Sequence, residues 1–223
     1  MRKPAKILIA GSMLALMLSP ACADSSTSNT AGSQILNGQV NFQNAISVMQ
    51  AGITNVGGDV AVQSSAAGNA VDITTMNDTE VQTSQYNNAA EISSTTTAAI
   101  TNVAGSVGVV NQAVCNSASV STDPSLTAVT NYQECAAKDP TATATVAVNN
   151  IGGNFSLANS AIGNTLQADT NAANMPINNK QINSSAIVAA TGATVSNVVG
   201  SVGVSSSAVG NSAQIIHYST NPN

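Results

Sequence analysis

The sequence predicts an all-β fold: stacked strand-arc-strand rungs, a β-solenoid, on a repeat of about 47 residues present in four copies. Three observations carry this expectation. One phrase recurs as NVGGDVAVQSSAAGNAVDI at 55–73, NVAGSVGVVNQAVCNSASV at 102–120, NIGGNFSLANSAIGNTLQA at 150–168 and NVVGSVGVSSSAVGNSAQI at 197–215. Its opening residues, Asn55, Asn102, Asn150 and Asn197, lie 47, 48 and 47 residues apart, and a fixed period of this size marks solenoids, propellers and arrays. Within each copy apolar and polar residues alternate, which is the period of a strand. Composition agrees: Val, Ile, Thr, Ser, Asn and Gly are mediocre or poor helix formers. With aromatics at 2% and charged residues at 7%, the small apolar side chains suit a core one side chain wide.

The first segment stands apart from the repeat. Arg2, Lys3 and Lys6 precede the apolar run ILIAGSMLALMLS, and ACA at 21–23 supplies a small-x-small pattern before Asp24. This reads as a cleaved secretory signal over 1–23, too short to favour a membrane span. The rival reading is lipidation of Cys22, but Pro20 stands where such signals usually carry a small residue. Residues 24–39, rich in Ser, Thr and Gly, read as a flexible segment, 40–216 as the repeat domain and 217–223 as a tail. Without the signal, only Lys138 and Lys180 remain as cations against ten acids, so the charge is 2 − 10 = −8. Binding to nucleic acid needs many cationic contacts to phosphate, so that class is excluded, as is electrostatic binding to anionic lipid.

Each repeat carries a change of parity. In the last copy the inward set Val202, Val204, Ser206 and Ala208 gives way to Ala213 and Ile215; in the first, Val60, Val62, Ser64 and Ala66 give way to Val71 and Ile73. The backbone must bend between them to keep both arms facing inward. The bend falls at Gly68-Asn69, Gly163-Asn164 and Gly210-Asn211, with Cys115-Asn116 as the variant, and both Gly and Asn tolerate left-handed backbone angles. A weaker echo follows nineteen residues after the first three corner asparagines, at Asn88, Cys135 and Asn183, and VNFQNAISV around Asn44 reads as a truncated copy. Each unit is thus expected to hold two related rungs and a longer connector, seven or eight rungs in all. Such rungs bury their inner faces only by stacking at about 4.8 Å. Equivalent Asn and Gln residues then form amide ladders, and like charges are avoided because they would stack on one another.

Cys115 takes the Gly place of its corner and Cys135 the Asn place of the following echo. Stacked in this register they sit at neighbouring corners, one rung apart, within the Cα range of a disulfide, and export permits the bond. Two unpaired thiols are the alternative.

No catalytic set emerges. His217 is the only histidine, and any Ser-His-Asp or Cys-His arrangement would have to use it. The ten acids do not recur at one repeat position. Asp72, Asp78 and Glu80 could approach one another around calcium, but solvated loop acids are the preferred reading, and two cysteines with one distant histidine make no zinc site. No cofactor and no metal are expected. The glycines of GSVG at 105–108 and 200–203 recur with the repeat, lack a following Lys and read as turns, not as a phosphate loop. Tyr86 and Tyr132 read as corner filler ahead of exposed adhesive aromatics.

The segments AVGNSAQI, AAGNAVDI and AIGNTLQA resemble curlin-type repeats, in which a Gly-Asn corner joins two strands. The resemblance covers 40–216 at most, with a longer period and an incomplete Gln ladder. The signal, the small polar composition and the AxGN corners are also similar to the surface proteins that anchor the holdfast of stalked bacteria, exported beside a curli-type pore. That likeness implies a secreted protein of the bacterial outer surface, not an enzyme. It would act as an adhesin, an anchor or an amyloid-like fibre subunit in attachment and biofilm. Self-association is the implied interaction, with a curli-type secretion pore and surface polysaccharide as further partners. The alternative is a monomeric, capped β-solenoid that binds polysaccharide or another surface.

Overall fold

The computed structural model describes residues 33–76, 79–122, 127–171 and 175–218. The signal segment 1–23 with Cys22, most of the segment 24–39, Asp78, Asp123 and residues 219–223 of the tail lie outside them. Twelve strands follow one another: β1 (Ser33–Asn41), β2 (Ala45–Val56), β3 (Val60–Thr75), β4 (Thr79–Asn87), β5 (Ile92–Val103), β6 (Val107–Thr122), β7 (Thr127–Cys135), β8 (Thr141–Ile151), β9 (Phe155–Thr170), β10 (Ile177–Asn183), β11 (Val188–Val198) and β12 (Val202–His217). Every third strand pairs in parallel, giving three four-stranded sheets: β1-β4-β7-β10 (A), β2-β5-β8-β11 (B) and β3-β6-β9-β12 (C). The chain therefore makes four turns, each of three strands.

The period is the rise of one complete turn, so four rungs replace the expected seven or eight. The presumed connector supplies strands of its own, and the echo belongs to sheet A and does not stack on the corner. Asn69 stands in register with Asn116, whereas Asn87, not Asn88, is in register with Cys135. The presumed truncated copy around Asn44 is part of a complete first rung, and the segment expected to be flexible up to residue 39 contributes β1 from Ser33 onward.

The parity switch marks a bend inside each strand of sheet C. In β3 the buried set Val60, Val62, Ser64 and Ala66 moves to Asn69, Ile73 and Thr75, and the ladder to β6 omits only Gly68 and Cys115. The first arm packs on sheet B, where Val62, Ile100, Val109, Val148 and Leu157 share one apolar cluster. The second arm packs on sheet A through Ile73, Val81, Val120 and Val129. A polar seam runs along the inner face of the first arms. Ser64 Oγ lies 2.8 Å from Ser47 Oγ and 3.0 Å from Ser94 Oγ, and buried Asn111 accepts from Ser94 and donates to Asn159 Oδ1 at 2.8 Å.

Left-handed backbone occurs elsewhere than expected. Positive φ falls on Asn55 (57°), Asn102 (56°), Asn150 (61°) and Asn197 (52°), the residues that open each repeat and precede the turn into sheet C; asparagine is one of the few side chains that visits this region readily. Of the GSVG glycines, Gly105 and Gly200 lie in those turns, while Gly108 and Gly203 sit within β6 and β12.

The corner glycines serve close approach instead. A Cβ on Gly68 would lie 1.6 Å from Asn87 Nδ2 and 2.7 Å from the Cys115 carbonyl oxygen; one on Gly163 would lie 2.3 Å from the Gly210 carbonyl oxygen. Carboxylates within the strands are kept apart along the stack: Asp72 is in register with Ser119, Glu80 with Gln34 and Ala128, Glu134 with Tyr86 and Ile182.

Candidate attachment surface

The corners carry two continuous amide ladders that run in opposite directions. Asn69 Nδ2 donates to Asn116 Oδ1 (2.9 Å), Asn116 to Asn164 (2.8 Å) and Asn164 to Asn211 (2.8 Å). Each of the first three also donates to a backbone carbonyl of sheet A, at Tyr86, Glu134 and Ile182. In sheet A, Gln85 Nε2 donates to Gln39 Oε1, Gln133 to Gln85 and Gln181 to Gln133, each at 2.8 Å. Asn116, Asn164, Gln85 and Gln133 are fully buried. At such positions an unmade bond costs about 1–3 kcal/mol, so the ladders hold the stack to one register.

The cystine belongs to this system. Cys115 and Cys135 are bonded, with Cα atoms 5.9 Å apart, and both are completely buried. They join sheet C to sheet A across the core, so their proximity does not come from stacking along one sheet. Cys115 stands in the column of Gly68 and Gly163, and Cys135 in that of Asn87 and Asn183. Where a glycine leaves room for an asparagine in the neighbouring turns, here two cysteines fill the same space with a covalent link. A loop of 20 residues makes that link worth about 3 kcal/mol.

Sheet C is staggered against sheet B by the rise of the helix. β3 packs on β2 and also on β5 of the next turn; β6 packs on β5 and β8, β9 on β8 and β11. β12 has only β11. Its inward positions are consequently open: Val204 is 47% exposed and Ile215 53%, against 6% and 8% for Val62 and Ile73 in the same columns of β3. The last rung thus offers an apolar strip beside an unpaired backbone edge, the geometry that accepts a further strand.

The outer faces differ by rung as well. Leu36, Val40, Ile46 and Val48 of the first rung point outward and are exposed. The next rung carries Gln82, Tyr86, Ser93 and Thr95 in those columns. Tyr86 and Tyr132 lie on the outer face of sheet A and not at a corner. Tyr86 meets the edge of Phe42 with ring centroids 6.1 Å apart. The Tyr132 hydroxyl donates to Glu134, which raises the phenol above its ordinary value, and Lys180 lies 5.4 Å from its ring. Sheet B presents an outer array that includes Thr95, Thr97, Thr143 and Thr145 in register. Among the described residues no group of three or more His, Cys, Asp or Glu is placed to hold a metal ion, and no helix is long and apolar enough to cross a membrane. His217 ends β12 in register with Thr170.

A family model described as HfaD, Holdfast attachment protein D, matches residues 19–221. The chain belongs to that family. No curated protein and no solved structure matches the chain. Membership of the holdfast attachment protein D family makes the chain a surface attachment protein of the adhesin or anchor class. A structural role suits a molecule whose buried polar groups are spent on ladders. In this holdfast attachment protein the corner residues Gly68, Asn69, Cys115, Asn116, Gly163, Asn164, Gly210 and Asn211 line the bend within sheet C, facing the C-terminal ends of the sheet A strands. Sequence reasoning missed the Gln39-Gln85-Gln133-Gln181 ladder, although its 46- and 48-residue spacing was there to be found, and it missed the open last rung, which no local pattern encodes.

Proposed function

We propose that this holdfast attachment protein acts as an amyloid-like fibre subunit at the outer surface, after export behind the signal segment 1–23 and through a curli-type pore. The observation that carries the reading is the uncovered inner face of β12, with Val204 and Ile215 about half exposed beside a free strand edge. Apolar surface gains about 25 cal/mol per Å² when covered, and a parallel rung in register also pairs the backbone. Growth by addition of rungs would give an attachment element of indefinite length from a small chain with few charged residues. The test follows residues 24–223 at rising concentration by thioflavin fluorescence and fibre diffraction. Fibres with about 4.7 and 10 Å spacings that seed fresh protein are expected. A soluble β-rich monomer at every concentration would overturn the reading.

One observation favours a second reading. The in-register threonine array of sheet B offers regularly spaced hydroxyl and methyl groups, which suits a solenoid that binds surface polysaccharide as a capped monomer. Retention of monomer on polysaccharide beads, lost on replacing Thr95, Thr97, Thr143 and Thr145 with lysine, would decide for it.

A further inference from the structure

We infer that the partner of the open last rung is the first rung of a second copy of this chain, docked head to tail in the same register as the internal turns. This rests on the fibre-subunit reading and names its interface.

Three independent features of the two ends agree. The first is the inner columns. Continuing the register places Val202, Val204 and Ile215 of one copy on Val60, Val62 and Ile73 of the next, apolar on apolar throughout. β2 of the second copy would then take the place beside β12 that β5, β8 and β11 take beside β3, β6 and β9.

The second is the direction of the ladders. The Asn ladder ends in a donor at the last rung, where Asn211 Nδ2 reaches only the Gln181 carbonyl at 3.4 Å, and it begins at the first rung with Asn69 Oδ1 and no rung below. The Gln ladder runs the other way. Gln181 Oε1 is its open acceptor, and Gln39 Nε2, which donates to the Ala70 carbonyl, lacks the glutamine acceptor that the other three have. Donor meets acceptor in both ladders when last rung meets first. Two first rungs, or two last rungs, would oppose like groups in each ladder. Asn37 Nδ2, buried without a hydrogen-bond partner, lies at the same end, in the column of Asn179.

The third is the outer face. Val40, Ile46 and Val48 occupy columns that the middle rungs fill with Tyr86, Ser93, Thr95, Glu134, Thr141 and Thr143. The last rung turns apolar again in those columns, with Ile182, Val188 and Ala190. Val40 is 63% exposed and Val188 42%. Head-to-tail stacking pairs Ile182 with Val40, Val188 with Ile46 and Ala190 with Val48. Such a contact is heterologous and does not close, so it propagates.

The test uses the full chain carrying Cys22→Ser, with single cysteines on the exposed outer face of sheet C. Gln63 and Ser205 share a column, so Gln63→Cys and Ser205→Cys copies should stand one rung apart, within disulfide range. Mixed under mild oxidant, the two are expected to cross-link into dimers, while either alone and the Cys22→Ser parent do not. Replacing Ser205→Cys by Ser207→Cys moves the thiol two residues along the strand, beyond reach, and should abolish the product. Cross-linking of Gln63→Cys alone or of Ser205→Cys alone would overturn the inference in favour of like ends meeting. Assemblies that sediment but cross-link only with Ser207→Cys would overturn the register. Absence of both sedimentation and cross-linking would remove the fibre-subunit reading together with the inference.

Discussion

Val62 and Val204 occupy one column of sheet C at opposite ends of the stack, and their neighbours in sequence are closely alike, yet one is buried and the other about half exposed. The difference is not in the residues. β3 lies between β2 and β5, whereas the stagger of the helix leaves β12 with a neighbour on one side only. In a quasi-one-dimensional fold each repeat depends on the next one for its burial, so the first long strand is finished within the chain and the last is not. The same contrast separates inner and terminal ladder residues: Asn116 has an amide on both sides, Asn211 on one.

The sharpest way to break the comparison is to place a charge in each position. Val62→Asp should cost about 3–5 kcal/mol, because it buries an uncompensated carboxylate. Val204→Asp should leave the unfolding free energy of dilute protein, measured in urea, within about 0.5 kcal/mol of the parent and should abolish concentration-dependent assembly. Equal destabilisation by both would mean that the last rung is covered in the monomer.

The corner pair gives the next largest effect. Cys135→Asn alone sets an asparagine against the Cys115 side chain in the space that Gly68 vacates for Asn87. It should cost about 3 kcal/mol for the lost link and a further 1–3 kcal/mol for overpacking. Adding Cys115→Gly restores the pattern of the neighbouring turns and should recover the second part only. A double variant no more stable than the single one, by denaturant unfolding, would show that the two solutions are not equivalent.

Smaller effects refine the ladder. Asn116→Ala removes a donor and an acceptor from a buried chain and should cost about 2–3 kcal/mol, against about 0.5 kcal/mol for Asn211→Ala. Hydrogen exchange at neighbouring amides would report the difference. Smallest is Asn197→Ala, exposed at a φ of 52°, with an expected loss of about 1 kcal/mol in thermal unfolding.

The repeat length, the strand period and the bend at the corners could all be read from residue order, because each depends on identity at a fixed spacing. The two cysteines could be named as partners, but not by the register that brings them together, since they meet across the core between sheets C and A. Parity is set by which residues are apolar, and Val60, Val62, Val71 and Ile73 declare it without reference to any neighbour. The number of rungs could not be read that way. Whether 47 residues make two short turns or one of three strands depends on how far the chain travels before it lies above itself, and the degenerate segments around Asn44 and Asn88 carry no periodic mark of a separate wall. Corner glycines were legible as bends but not as clearances, since the Asn87 side chain that requires them comes from another sheet. The stagger that buries Val62 and exposes Val204 belongs to tertiary structure alone. It is set by the rise of the whole turn, and identical residues acquire different surroundings only when the stack comes to an end.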